Sequence, residues 1–226
     1  MAGSAASTRP LRLAHRGDWR AARENTLAAF AAALAIPACD GLELDVCRSA
    51  DGALVVYHDE SLQRLHGRPD RVDALTADAL DAVGIPTLAD ILLAVGRRVF
   101  LDIELKVDPG PDVAGVLAAG RGPGLTAAIV SSFDPVALER VANLAPAWPR
   151  WLNSRALDRS SVALAVELGC RAVAVDWRSI DVRSVAMARS AGLDVAAWTV
   201  RRRPTFDRLA RLGVIAVCVE AAALDG

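Results

Sequence analysis

Nine short runs rich in Val, Ile and Leu punctuate this 226-residue chain, and every gap between them but one is long enough to hold a helix. The runs fall at Leu11–Gly17, Gly41–Cys47, Ala53–His58, Val99–Val107, Thr126–Phe133, Arg150–Asn153, Arg171–Asp176, Leu193–Val200 and Val214–Val219. Helix-period, Ala-rich segments fill most gaps, at Asn25–Ala35, Leu88–Val95, Val113–Ala119, Pro135–Leu144, Ser161–Leu168, Ser184–Ser190 and Thr205–Leu212. That alternation is the signature of repeated βαβ units and a parallel sheet. The exception is Arg48–Gly52, too short for a parallel crossover and carrying the turn pair Asp51-Gly52, so the third run should lie antiparallel to the second. Eight parallel strands remain, the number that closes a TIM (β/α)8 barrel, and an α/β barrel with one extra hairpin strand is the expected fold.

If Asp51 and Gly52 are the two turn residues, pairing runs from Ala50 with Ala53 back to Asp45 with His58. Glu43, Asp45 and His58 would then share one face of the ribbon.

Barrels of this size fold around one large core, and a chain with 53% hydrophobic residues has the material for it. No Pro/Gly/Ser linker or charge block divides the sequence. A single domain over residues 1–226 is expected, with about residues 1–10 as a flexible tail. The formal charge of -1, from 26 basic and 27 acidic residues, offers no footprint for nucleic acid or an anionic membrane. Met1–Pro10 has no export or lipidation pattern, and no segment is apolar enough to cross a bilayer. Cys39, Cys47, Cys170 and Cys218 are widely spaced and form no CxxC pair, as suits reduced thiols in a cytoplasmic protein.

Chemistry concentrates at strand ends. His15 and His58 close two apolar runs, Glu43-Leu44-Asp45 lies between them, and Glu104-Leu105-Lys106 closes a later one. Residues two apart on a strand point to one face, and the C-terminal strand ends of a barrel converge on one mouth. Three carboxylates without a cysteine suit a hard cation, Mg²⁺ or Ca²⁺. Arg16 offers a planar fork for phosphate oxygens and Lys106 a point charge, while the two histidines can divide the proton work. These parts fit a metal-assisted phosphodiesterase acting on a small molecule.

The ordered set His15-Arg16-Gly17, Glu24-Asn25-Thr26, Glu43-Leu44-Asp45, Asp51-Gly52, His58-Asp59, Arg64, Ile85-Pro86-Thr87-Leu88, Ile103-Glu104-Leu105-Lys106, Ser131-Ser132-Phe133 and Trp198-Thr199-Val200 resembles the glycerophosphodiester phosphodiesterases. The resemblance implies a TIM barrel that hydrolyses glycerophosphodiesters to glycerol 3-phosphate and an alcohol with a divalent cation. It implies Glu43, Asp45 and Glu104 as metal ligands, His15 and His58 as the acid/base pair, and Arg16 and Lys106 as phosphate contacts. Phe133 and Trp198 would line the pocket, and Glu24 and Asn25 would support the metal shell. The attacking oxygen would be the glycerol 2-hydroxyl or a water.

Three departures stand out: Arg23 where Pro precedes Glu-Asn-Thr, Arg201 where Asn follows Trp-Thr-Val, and a last run, Val214–Glu220, without its aspartate. The run Arg201-Arg202-Arg203-Pro204 reads by default as a solvated loop, although at that end of a barrel it can face a substrate. His66 reads as a surface residue, and Asp102, lower on its strand than Glu104, receives no role. Ser131 and Ser132 lack a neighbouring base, and Trp19, Trp148, Trp151 and Trp177 read as packing or rim residues. One alternative keeps the barrel and changes the substrate to a lysophospholipid or sphingomyelin, with Trp19 or Ala147–Leu152 as an apolar lip. Another is a non-catalytic phosphodiester-binding barrel.

Overall fold

The computed structural model describes residues 9–226, so most of the expected tail lies outside the described residues. Its last two positions are anchored: Arg9 pairs with Asp40 at 2.6 Å and Pro10 is buried.

All nine expected runs form strands: β1 Leu11–His15, β2 Gly41–Arg48, β3 Leu54–Val56, β4 Phe100–Leu105, β5 Ala128–Ser132, β6 Arg150–Ser154, β7 Ala172–Asp176, β8 Asp194–Val200 and β9 Ala216–Val219. Eight of them close a parallel ring in the order β1, β2, β4, β5, β6, β7, β8, β9 and back to β1. β3 is bonded outside the ring, antiparallel to the C-terminal end of β2.

The hairpin register departs from expectation by one residue. Val46 pairs with Val56, Cys47 with Val55 and Arg48 with Leu54. The connection has three residues, Ala50-Asp51-Gly52, because Ser49 N–H donates to the Ala53 carbonyl and Gly52 takes φ +85°. A three-residue loop ending on a left-handed glycine is the next option after the two-residue turn. By ladder pairing alone His58 would not share the face of Glu43 and Asp45. β3 ends at Val56, however, and after a last bond from the Tyr57 N–H to the Asp45 carbonyl the chain leaves the ribbon, with the His58 imidazole at the barrel mouth.

The helices are α1 Leu27–Leu34, α2 Gln63–His66, α3 Ala77–Asp81, α4 Leu88–Val95, α5 Val113–Arg121, α6 Pro135–Leu144, α7 Arg159–Glu167, α8 Val182–Ser190 and α9 Arg203–Leu212. Side chains of Thr26, Thr87, Asp134, Asp158 and Asp181 accept from backbone N–H groups at five N-termini, satisfying donors that the first turn leaves open. α2 and α3 are one turn long, too short to print a period on the sequence, and they roof a small apolar cluster of Cys47, Val55, Tyr57, Leu62 and Leu80. His66, expected at the surface, is half-buried against the Tyr57 ring at 5.9 Å.

Alternation along the strands builds two apolar layers. Leu42, Leu44, Val46, Leu101, Ile103 and Leu105 face the helices, while Leu13, Ile129, Trp151, Ala172, Ala174, Ala196 and Ala216 fill the lumen. Alanines on β7, β8 and β9 make room for the Trp151 indole, which keeps the lumen packed rather than hollow. Above that floor the inward positions turn polar. Ala147–Leu152 enters β6 from the opposite end of the barrel, with Trp148 and Trp151 buried, so this segment supplies no apolar lip at the mouth. Among the described residues no helix is long and apolar enough to cross a membrane.

Candidate active site

The inward positions at the C-terminal ends of β1, β2 and β4 bring the charged residues into one cavity of about 230 Å³. His15 is level with Glu43 across the β1–β2 pair, and Asp45 is level with Glu104 across β2–β4. His15, Arg16, Glu43, His58, Glu104, Lys106, Phe133 and Trp198 all line the cavity, and Asp45 lies at its base, 3.5 Å from Lys106 Nζ.

Oxygens of Glu43, Asp45 and Glu104 lie within 4.8 Å of one another. Burial and the neighbouring Asp45 and Glu104 charges push the Glu43 carboxyl well above the usual range. Burial and Asp45 likewise raise Glu104, whereas Asp45, despite its burial, is held low by Arg16 and Lys106. Glu43 Oε1 and Asp45 Oδ1 are buried without a hydrogen-bond partner. Crowded carboxylates with open lone pairs are what a hard divalent cation would satisfy, so the donor set fits such an ion.

Supporting bonds fix these carboxylates. Asn25, at φ +58° and buried, donates from Nδ2 to Asp45 Oδ2 at 2.8 Å and accepts from the Asp45 N–H. Arg16 lines the cavity, yet its guanidinium is also engaged behind it, 3.0 Å from Asp45 and 2.9 Å from Glu24. Gly17, at φ +84°, closes this turn against α1, where an added Cβ would sit 2.7 Å from the Ala29 carbonyl carbon. Lys106 Nζ donates to Glu104 at 2.5 Å. Phe133 and Trp198 meet edge to face at 5.6 Å and form the outer wall.

Each histidine is held by a carboxylate that an arginine holds in turn. His15 Nδ1 lies 2.6 Å from Glu220, which accepts from Arg201 Nε at 2.6 Å. His58 Nδ1 lies 2.6 Å from Asp59, which accepts from Arg64 Nε at 2.6 Å. Burial alone would raise Glu220, but His15 and Arg201 outweigh it and hold the carboxyl at about 2. An ionised carboxylate only accepts, so each Nδ1 carries the hydrogen and each Nε2 is left for the cavity. Arg64 also bonds Glu24, which links the His58 arm to Arg16 and the metal-ligand candidates.

Sequence reasoning missed Glu220. Its signal was a carboxylate at the C-terminal end of the last barrel strand, where the expected residue was an aspartate. It also passed over Asp102, which is buried on the cavity wall, accepts from Ser131 Oγ at 2.6 Å, and is raised by burial to about 7. Ser131 and Ser132 are both buried and committed to strand-end bonds, with no histidine beside them.

Comparison with known proteins gives one consistent result. Residues 15–224 match the model of the Glycerophosphoryl diester phosphodiesterase family. The chain is 29% identical over 220 residues to a glycerophosphodiester phosphodiesterase of Caldanaerobacter subterraneus subsp. tengcongensis, covering 89% of this chain and 90% of that one. It is 30% identical to a Bacillus subtilis glycerophosphodiester phosphodiesterase, covering 92% and 83%. Among solved structures it is similar to an Oleispira antarctica phosphodiesterase in complex with the product sn-glycerol-3-phosphate, at TM-score 0.81, 25% identity and 93% coverage of both chains. A glycerophosphodiester phosphodiesterase from Agrobacterium tumefaciens is similar at TM-score 0.80 and 26% identity, over 96% of this chain and 98% of that one.

Proposed function

This chain belongs to the glycerophosphoryl diester phosphodiesterase family of hydrolases, and from that membership we propose that it hydrolyses glycerophosphodiesters to glycerol 3-phosphate and an alcohol by His15/His58 acid–base catalysis. The observation that carries the proposal is convergence: three carboxylates and two carboxylate-braced histidines, far apart in sequence, share one cavity.

Glu43, Asp45 and Glu104 would hold Mg²⁺ or Ca²⁺, which when bound neutralises phosphate charge and polarises an oxygen. The residues of the chain supply the rest. One histidine takes the proton of the attacking oxygen at Nε2, and the other gives a proton from Nε2 to the leaving alkoxide. Glu220 and Asp59 fix the tautomers and stabilise each imidazolium as it forms, the role a buried carboxylate plays behind a catalytic histidine. Lys106 and Arg16 face the phosphoryl oxygens, and Phe133 and Trp198 exclude water from one side of the cavity. The four unpaired cysteines accord with the proposed cytoplasmic setting.

Release of glycerol 3-phosphate from glycerophosphodiesters, with and without EDTA, tests the activity. Early sampling for a cyclic glycerophosphate separates attack by the 2-hydroxyl from attack by water. His15→Ala and His58→Ala should each lose most turnover while retaining metal, and a fully active His58→Ala variant would remove the acid–base assignment.

A further inference from the structure

Space around the scissile position continues past Trp198. That indole and Thr199 also wall a second cavity of about 600 Å³, bounded by Trp177, Arg178, Arg201 and Arg202 on the loops after β7 and β8. A neighbouring recess of about 570 Å³ joins Trp198 and Phe133 to Arg155. The leaving alcohol of a phosphodiester bound against Lys106 and the carboxylates has these spaces open to it.

Their chemistry is cationic and hydrogen-bonding. In the larger cavity three guanidinium groups face one carboxylate, Asp176, which is 3.1 Å from Arg178. Arg201 is engaged by Glu220, but the side chains of Arg155 and Arg202 make no hydrogen bond or ion pair with any described residue. The positive end of α9, which starts at Arg203 beside this cavity, adds to the same sign of potential.

The aromatic residues there do not form a cage for a quaternary ammonium. Arg178 and Arg208 already lie over the Trp177 ring, at 4.6 and 5.7 Å. Trp198 meets Phe133 edge to face, and its Nε1 donates to the Ala174 carbonyl at 3.0 Å. A choline head would meet guanidinium charge in place of an open ring face.

We propose that the cavity bounded by Arg178, Arg201 and Arg202 is the leaving-group subsite, and that it selects glycerophosphodiesters whose alcohol carries a second anionic group, a phosphate or a carboxylate. Planar guanidinium forks match either anion; Arg202, with no partner among the described residues, loses no existing bond on binding it, while Arg178 and Arg201 keep their bonds to Asp176 and Glu220 and offer their remaining N–H groups. This inference rests on the phosphodiesterase reading above and narrows its substrate.

Four substrates with one reacting centre test it: glycerophosphoglycerol (neutral), its terminal phosphate, glycerophosphoglycerate (a carboxylate in the same place) and glycerophosphocholine (cationic). The metal-loaded enzyme should show kcat/KM about tenfold higher for an anionic member than for the neutral one, with the gain in KM and eroded by salt. Comparing phosphate with carboxylate identifies which anion the subsite fits. In Arg178→Ala/Arg202→Ala the anionic-to-neutral ratio should fall toward one, and Arg178→Lys/Arg202→Lys should restore part of it. Glycerophosphocholine turned over as well as the anionic substrates, or a ratio unchanged in the alanine variant, overturns the subsite while leaving the phosphodiesterase reading intact. Turnover of none of the four removes both.

Discussion

Lys106 is the only lysine among the 26 basic residues of this chain, the rest being arginine. A chain that otherwise uses arginine throughout keeps an ammonium where it must sit between Asp45 and Glu104 and still face the cavity. A compact point charge can do this where a planar fork would be held in one orientation. Lys106→Arg is therefore expected to fold normally yet lose about tenfold or more in kcat, read by initial rates at saturating substrate. Glu220 gives a second expectation at the same scale. Its folded carboxyl, at about 2, lies below the ordinary 4.5, so its contribution to stability is full above the ordinary value and is lost as pH falls toward 2. The thermal midpoint of the wild type should exceed that of Glu220→Gln near neutral pH, with the gap closing in acid. The same variant should lower kcat by about 10²-fold, because His15 loses the acceptor that fixes its tautomer. A gap that widened on acidification would contradict the pairing. That Glu43, Asp45, Glu104, His15 and His58 would converge was legible because each lies within or at the end of an apolar run, where charge without a purpose is costly. Glu220 was not, because the motif asked for an aspartate. The longer side chain is held by Arg201, so two departures from the family pattern meet in one ion pair.

At the level of elements, the count of strands and the lengths of gaps were readable, since β and helical periods differ and a five-residue gap excludes a crossover. Register was not readable, because Asp51-Gly52 serves a two-residue turn and the last two positions of a three-residue loop equally well. That one-residue difference decides which face a strand presents, and here the chain avoids the consequence by ending β3 before His58. The two loop glycines separate conformational strain from close packing. At Gly52, φ +85° is unfavourable for alanine, but the nearest atom to an added Cβ is the flexible Arg48 guanidinium, so Gly52→Ala should cost about 1 kcal/mol. At Gly17 the same backbone strain is joined by a 2.7 Å approach to the α1 backbone, which cannot swing away. Gly17→Ala should cost about 2–4 kcal/mol and also displace His15 and Arg16, lowering turnover in the residual folded protein. Urea unfolding compares the two, and equal losses would show that the close approach to Ala29 relaxes freely.

Across the whole molecule, stability and function meet at the acidic cluster. A lumen packed with Leu13, Ile129 and Trp151 could have stayed apolar to the top; instead three carboxylates are stacked above it, two of them raised by burial and by neighbouring acidic charge. Such an arrangement is destabilising in isolation, so a divalent cation that binds only the folded barrel should stabilise it by mass action. At a hundredfold excess over Kd the gain is about 2.7 kcal/mol. In a domain of this length each kcal/mol moves the midpoint by about 2–4 °C, which gives a rise of about 5–10 °C on adding Mg²⁺ or Ca²⁺ to EDTA-treated protein. Glu43→Ala should abolish this rise, and start from a midpoint less depressed than loss of a buried side chain would suggest, because it also removes repulsion between like charges. His58→Ala should retain the rise in full while losing turnover, since its imidazole braces against Asp59 rather than the cluster. Differential scanning calorimetry of the three proteins, with and without metal, reads all of these shifts together. Equal metal responses in wild type and Glu43→Ala would place the cation elsewhere, and the carboxylates would then be an electrostatic liability with no ligand to explain it.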